Sequence, residues 1–242
     1  MSKIYIVGTP IGNLEDITLR ALRILNTVDL IACEDTRVSL KLLNHFNIAN
    51  KKLISYSKIN EDKSAEYIVD FLSKENKNLA LICDAGMPMI SDPGFELINL
   101  ARQKNIDIIL IPGVNAAISA FVLSSLSNTF SFHGFPKEKR GQRQEQIKQL
   151  SINTAHIFYV SPHKLTSFLD DLELIWNDRL YLFIVRELTK LHESIYYGNI
   201  EKIRRDLTNS SLKGEFTIVV KIEQQQRKKV NKYSHFSKIN LT

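Results

Sequence analysis

The sequence predicts an α/β protein in two parts, a doubly wound half built on a parallel sheet and a second half built on a mixed sheet. Three observations carry that expectation. Short apolar runs alternate with helix-period segments over residues 1–127, as in βα units stacked on a parallel sheet. From residue 128 strand-like runs outnumber helical ones, and one alternates apolar with polar residues as a half-exposed strand does. Between them stands Leu79-Ala80-Leu81-Ile82-Cys83, an unbroken apolar run that reads as a strand buried on both faces. It breaks into Asp84-Ala85-Gly86-Met87-Pro88-Met89-Ile90-Ser91-Asp92-Pro93-Gly94, with two Asp, two Gly and two Pro. This loop runs to about ten residues where two to six is usual, and such a loop at the carboxyl end of a central parallel strand is where open α/β sheets bind ligands.

In order, residues 3–8 form the first predicted strand and Gly8-Thr9-Pro10-Ile11-Gly12-Asn13 its loop. Apolar residues at Ile17, Leu19, Ala21, Leu22, Ile24 and Leu25 predict a helix over 16–25 with Asp16 as its cap. A strand over 28–33 ends in Glu34-Asp35-Thr36-Arg37, which reads either as a helix cap or as functional charge, and a helix follows to about Phe46. A strand over 51–56, a helix over 61–73, the central strand, and a helix opening at Asp92-Pro93-Gly94 come next. A strand over 106–111 closes in Pro112-Gly113-Val114-Asn115-Ala116-Ala117, with a helix to about Leu126. In the second half, strands are predicted over 129–135, 156–160, 179–186, 194–197 and 216–222 and helices up to about Leu150, over 164–174 and over 200–207. The expected division is a first domain of 1–127, a second of 128–224 that completes a ligand cleft, and a basic, disordered tail of 225–242.

A chain of 242 residues that is 44% apolar and 24% charged is an ordinary globular protein able to bury a large core. No run approaches the roughly 18 apolar residues that span a bilayer, and Met-Ser-Lys leading straight into a strand is no signal-peptide pattern, so a cytoplasmic protein without membrane partners is expected. Cys33 and Cys83 end apolar runs and read as buried, reduced thiols. Charge is uneven. Residues 1–127 carry 13 basic and 14 acidic residues, net −1, whereas the remainder carries 19 and 12, net +7. Much of that excess lies in Lys137-Glu138-Lys139-Arg140-Gly141-Gln142-Arg143 and in the tail, which points to a polyanionic partner.

Several chemistries are poorly supported. The first loop fits neither the dinucleotide fingerprint nor the triphosphate loop, since Asn13 stands where a lysine would begin. No two His are at metal-ligand spacing and the two Cys are far apart, so no metal site is expected. Ser161-Pro162-His163 lacks the glycines of a nucleophile elbow. What remains is three loops after strands of the first sheet: Glu34–Arg37, Asp84–Gly86 and Gly113–Ala117, the last two small enough for a flat ligand to approach the backbone.

Val7-Gly8-Thr9-Pro10-Ile11-Gly12-Asn13-Leu14 with Asp16-Ile17-Thr18-Leu19-Arg20-Ala21-Leu22, then Ala32-Cys33-Glu34-Asp35-Thr36-Arg37, then the loop from Asp84 to Gly94, resemble the ribosomal RNA small-subunit methyltransferase I family of the tetrapyrrole methylase superfamily. The likeness continues in order through Pro112-Gly113, Gly134-Phe135, Phe158-Tyr159, Ser161-Pro162-His163, Arg186-Glu187-Leu188-Thr189-Lys190 and Gly214-Glu215. The resemblance implies a two-domain, tetrapyrrole-methylase-like fold and a homodimeric enzyme. It would use S-adenosylmethionine to methylate the ribose 2′-hydroxyl of a cytidine in the decoding region of small-subunit (16S) rRNA, free or within the 30S subunit. Carried over by position, cofactor contacts fall on Asp84, Ala85, Gly86, Met87 and Ile90, on Asn115, Ala116 and Ala117, and on Ser161 and Leu188. Candidates for removing the hydroxyl proton are Glu34, Asp35, Glu187 and Lys190, and Arg37, Lys137, Lys139, Arg140 and Arg143 are candidates for gripping RNA. The chain departs from the family pattern at Met87, Asn115, Val160 and Ser125-Leu126-Ser127, and is one residue shorter between Phe135 and Pro136. Two alternatives stand beside this reading: a methylase of the same fold acting on a tetrapyrrole or other small molecule, and a non-catalytic RNA-binding assembly factor.

Overall fold

A computed structural model describes residues 2–208 and 210–224; the predicted tail of 225–242 lies outside the described residues. The first half forms a five-stranded, wholly parallel sheet from β1 (Lys3–Val7), β2 (Leu30–Cys33), β3 (Lys52–Ser55), β4 (Leu79–Leu81) and β5 (Asp107–Ile111), in the order β3-β2-β4-β1-β5. β2 and β4 are buried at every position, as unbroken apolar runs require, and the two edge strands are partly exposed. Helices α1 (Leu19–Thr27) and α2 (Thr36–His45) cover one face around Leu25, Ile31 and Leu43; α3 (Glu61–Glu75) and α4 (Phe95–Gln103) cover the other around Ile4, Tyr56 and Leu72.

The first helix starts later than its period predicts. Residues 14–16 form a 3₁₀ turn, capped by Asn13, and α1 begins at Leu19 under Thr18, whose hydroxyl accepts the Ala21 N–H. Asp16 is therefore not its cap. The apolar spacing runs through both segments, and the choice falls to the residue whose oxygen meets a free helix-end amide.

The second half is a mixed sheet in the order β6-β7-β10-β8-β9, comprising β6 (Phe130–Phe132), β7 (Ala155–Val160), β8 (Leu180–Arg186), β9 (Ser194–Asn199) and β10 (Phe216–Ile222). β6 runs parallel to β7 and the other pairs are antiparallel. Helices α6 (Arg140–Lys148), α7 (Pro162–Trp176) and α8 (Ile200–Thr208) pack on one face around Phe158, Phe168 and Phe216. The opposite face is covered by α5 (Ala116–Ser124), which follows β5: Ala117, Ala120 and Ile11 meet Ile157, Phe183, Val185 and Val219 in one buried cluster. An element expected to complete the first sheet thus fastens the two sheets together.

The parallel β6–β7 register, Ser131 opposite His156, also brings His133 Nε2 to 2.9 Å from His156 Nδ1. Two histidines that sequence spacing keeps apart are in contact because strand pairing ignores sequence distance.

Candidate active site

All five strands of the first sheet point their carboxyl ends at one edge, and the loops there meet the second half. Past β4 the chain continues buried through Ile82 and Cys83 into the loop beginning at Asp84. Thr9, just after β1, locks this loop: its N–H donates to the Gly86 carbonyl (2.8 Å), it accepts the Gly86 N–H (3.1 Å), and its hydroxyl donates to the Cys83 carbonyl (3.2 Å). Gly86 has φ +83°, and a Cβ there would stand 3.3 Å from Ile11 Cγ2, so both conformation and space oppose a side chain. Gly8 and Gly113 approach still more closely, since a Cβ on Gly8 would lie 2.6 Å from Gly113 Cα. That contact sets Asn115 and Ala116 beside the Asp84 loop.

Met89 and Ser91 both hold φ 71° without being glycine, a strain of about 1–3 kcal/mol each that persists only where the surroundings impose it. Those surroundings are visible. The Glu61 carboxylate on α3 accepts the N–H groups of Gly94 (2.8 Å) and Glu96 (3.3 Å), capping α4 in place of the side chain Gly94 lacks, while Lys58 donates to the Ser91 carbonyl.

The second half supplies a matching loop. Glu187 (φ 53°) and Thr189 (φ 67°) are again left-handed, the Thr189 hydroxyl accepts the Asn13 N–H at 3.1 Å, and Lys190 lies against Gly12 so closely that a Cβ there would be 2.4 Å from its Cγ. The Tyr159 hydroxyl accepts the Ala117 N–H (3.2 Å), tying β7 to α5, and the Phe135 ring packs edge-on against Tyr159 at 5.9 Å.

Between these loops lies a cleft of about 380 Å³. Of the predicted cofactor residues, Asp84, Ala85, Gly86, Met87, Ile90, Asn115, Ala116, Ser161 and Leu188 line it. Ala117 does not; it is buried in the first turn of α5, with its amide spent on Tyr159. Sequence reasoning missed Ile11, Phe135, Tyr159 and Thr217, which also line the cleft. Ile11, Tyr159 and Phe135 carried a signal as part of the resemblance, whereas Thr217, the second residue of β10, carried none. The departures are absorbed locally. Asn115 accepts the Ile118 N–H as the α5 cap, a task serine performs equally well, and Phe135 reaches the cleft despite the shortened loop.

None of the four proton-acceptor candidates lines this cleft; the carboxylates that do are Asp84, Asp92 and Glu215. Glu34 sits behind them, where burial and the nearby Asp92 and Asp84 charges push its carboxyl up. Asp35 caps α2, accepting the Arg37 N–H (2.8 Å), and pairs with the Arg37 guanidinium at 2.6 Å, which pulls its carboxyl down to about 2. Burial opposes the charge on Lys190, but Glu215 and Glu187, at 2.9 and 3.0 Å, outweigh it and hold the ammonium above its ordinary range. Glu187 is likewise lowered, because the Glu215 N–H and Lys190 outweigh its burial. Lys190 therefore lacks the free amine of a base. Burial raises Asp84, against the Asp35 N–H it accepts at 3.0 Å. It raises Asp92 as well.

The basic segment divides in two. Lys137 and Lys139 are exposed, but Arg143 is buried, with its guanidinium 2.6 Å from the buried Asp171 carboxylate. Arg140 and Gln144 reach the same carboxylate at 3.3 and 2.7 Å. Arg143 is thus removed from the candidates for a phosphate contact, because an ion pair closed off from water holds it. Arg204 is held by Asp170 and Glu173.

The family model for Tetrapyrrole (Corrin/Porphyrin) Methylases matches residues 3–204. A protein of Mycoplasmopsis pulmonis named ribosomal RNA small subunit methyltransferase I is 53% identical over 93% of this chain and 100% of its own length. A protein of the same name from Mesomycoplasma conjunctivae is 47% identical over 98% of each chain. Among solved structures, uroporphyrin-III C-methyl transferase from Thermus thermophilus, complexed with S-adenyl homocysteine, superposes with a TM-score of 0.63 at 16% identity over 90% of this chain and 96% of its own. At that identity the likeness is one of fold.

Proposed function

We propose a function for a chain that belongs to the tetrapyrrole methylases and, within them, to the ribosomal RNA small subunit methyltransferase I family: it methylates the ribose 2′-hydroxyl of a cytidine in the decoding region of small-subunit rRNA, using S-adenosylmethionine. The observation that carries the reading is the cleft between the two sheets, narrowed at Gly86, where conformation and space both oppose a side chain, and walled by Met87, Ile90 and Leu188. Its apolar walls, exposed loop backbone and few polar groups suit a nucleoside joined to an amino acid, and its volume lies within the range of small-ligand sites. S-adenosylmethionine, when bound, supplies a methyl group already activated on a sulfonium.

The chain's own work is then to align and to exclude water. Gly86, Ala85 and Asn115 bring backbone and small side chains to the cleft wall, and the Phe135 and Tyr159 rings add aromatic surface to it. The attacking hydroxyl must lose its proton as it gains carbon. Asp84 is the acceptor we assign, because it lines the cleft and burial makes it more basic than an ordinary carboxylate. Glu187 keeps a supporting role by holding Lys190 and Glu215, and Glu34 lies near enough to feel the Asp92 and Asp84 charges. Lys137, Lys139 and the exposed Arg37 serve the RNA backbone.

The reading extends to assembly and place. Residues 1–127 and 128–224 act as two domains around the cleft. The enzyme is a homodimer, which the exposed apolar Ile118, Val122 and Leu123 of α5 and Phe130 of β6 support. It acts in the cytoplasm on rRNA or the 30S subunit, in keeping with the absence, among described residues, of any helix long and apolar enough to cross a membrane. The test is transfer of labelled methyl from S-adenosylmethionine to 30S subunits and to naked 16S rRNA, with the product nucleoside identified. Label on cytidine 2′-O is expected; label on an added tetrapyrrole instead would overturn the assignment.

A further inference from the structure

Behind the Asp84–Ala85 turn lies a second cavity of about 370 Å³, on the side of α2 and the β1 loop. It shares Ile11, Asp84, Ala85 and Glu215 with the cofactor cleft, so the two spaces meet along one seam. We propose that this second cavity receives the target nucleoside, swung out of the RNA, with its 2′-hydroxyl at the seam and its base against α2. The inference rests on the methyltransferase reading and adds to it a substrate site.

Three features support it. Val38, Leu42 and Leu14 give the cavity an apolar wall of the kind on which a pyrimidine face rests. Lys41, exposed on α2, is the cation of the lining suited to a flanking phosphate, whereas Lys190 is held there by Glu187 and Glu215. Asp84 stands on the seam, so a hydroxyl delivered from this side meets the carboxylate and the cofactor cleft together. The attacking oxygen forms its bond to the methyl carbon, the sulfonium carbon–sulfur bond breaks with its electron pair remaining on sulfur, and the hydroxyl proton passes to Asp84.

The decisive variant is Val38→Trp, because Val38 is exposed at the surface yet lines the cavity, so an indole fills the space without entering the core. Calorimetry with S-adenosylmethionine and methyl transfer to 30S subunits are measured on the same preparations. For Val38→Trp the expected result is unchanged S-adenosylmethionine affinity with kcat/KM for the 30S subunit down about 100-fold. Lys41→Ala should lower kcat/KM about three- to tenfold while leaving thermal stability unchanged, since this exposed lysine lines the cavity without entering the core. Undiminished transfer by Val38→Trp would overturn the proposal, as would a parallel loss of S-adenosylmethionine binding, which would make the two cavities one site. A wild-type protein that binds S-adenosylmethionine but methylates no RNA would instead bring down the functional reading, and this proposal with it.

Discussion

The loop from Asp84 to Gly94 and the basic segment from Lys137 to Arg143 are built on opposite plans. The first is made of backbone: a glycine at φ +83°, two left-handed non-glycine residues, and carbonyl and amide groups clasped by Thr9 and Glu61. Its shape survives a methionine at position 87 because few of its side chains do the holding. The second is made of charge, and its charges have two destinations. Lys137 and Lys139 face water, while Arg143 turns inward to Asp171 and also donates to the carbonyls of Lys137 and Glu138. One arginine of the patch is thus the anchor that lets the lysines project. A run of basic residues in a sequence does not say which of them is solvated, because the deciding carboxylate lies on a helix 28 residues away.

The sharpest way to break this contrast is Asp171→Ala. It leaves the Arg143 charge buried and unpaired, and unfolding in denaturant should show a loss of about 3–5 kcal/mol. Lys137→Ala, by contrast, should leave the denaturation midpoint unchanged. It should weaken RNA binding and reduce the magnitude of the salt slope by about one, in titrations over a range of salt.

Next in size is Gly86→Val, where the branched side chain must adopt φ +83° against Ile11. S-adenosylmethionine affinity measured by calorimetry should fall by about 100-fold or more. Full affinity in a folded variant would mean that the loop does not hold the cofactor as proposed. Glu61→Ala removes the acceptor for the Gly94 and Glu96 amides at the far end of the same loop, and thermal unfolding should register about 1–2 kcal/mol.

At neutral pH the smallest effect concerns the histidines. Burial, with His156 beside it, lowers His133 from an ordinary 6.5 to about 4. Its neutral form is favoured in the folded state, so the unfolded chain takes up the proton first. This contribution is present in full above pH 6.5 and is lost as the pH falls toward 4. Denaturation across that window should show stability falling with acid, and His133→Gln should flatten the slope without changing stability much at pH 8.

Much of the fold is legible in the residues because it rests on short-range periodicity. The unbroken run of β4 reads as a strand buried on both faces, and the Asp84 loop announced itself by length and by its glycines and prolines. The Thr18 start of α1 was hidden because apolar spacing does not say where a 3₁₀ turn ends and a helix begins; the capping oxygen decides it. Among the site residues, those on the Asp84 and Asn115 loops could be named in advance, since small residues after a strand are visible locally. The carboxylates of the cleft were less so. Glu34 and Asp35 carry the same charge as Asp84 and Asp92, and only the packing decides which of them faces the ligand.

The sequence by itself determined the alternation of strands and helices, the parallel and mixed sheets, the loop that forms the cleft and the family to which the chain belongs, because each is written in patterns a few residues long. Only the tertiary structure decided that α5 fastens the second sheet to the first, that Arg143 is an internal ion-pair partner, that His133 and His156 touch, and that a second cavity adjoins the first. These are contacts between segments that chain connectivity leaves far apart. They form when buried surfaces come to share one interior, where a charge or hydroxyl without a partner is costly enough to dictate what it meets.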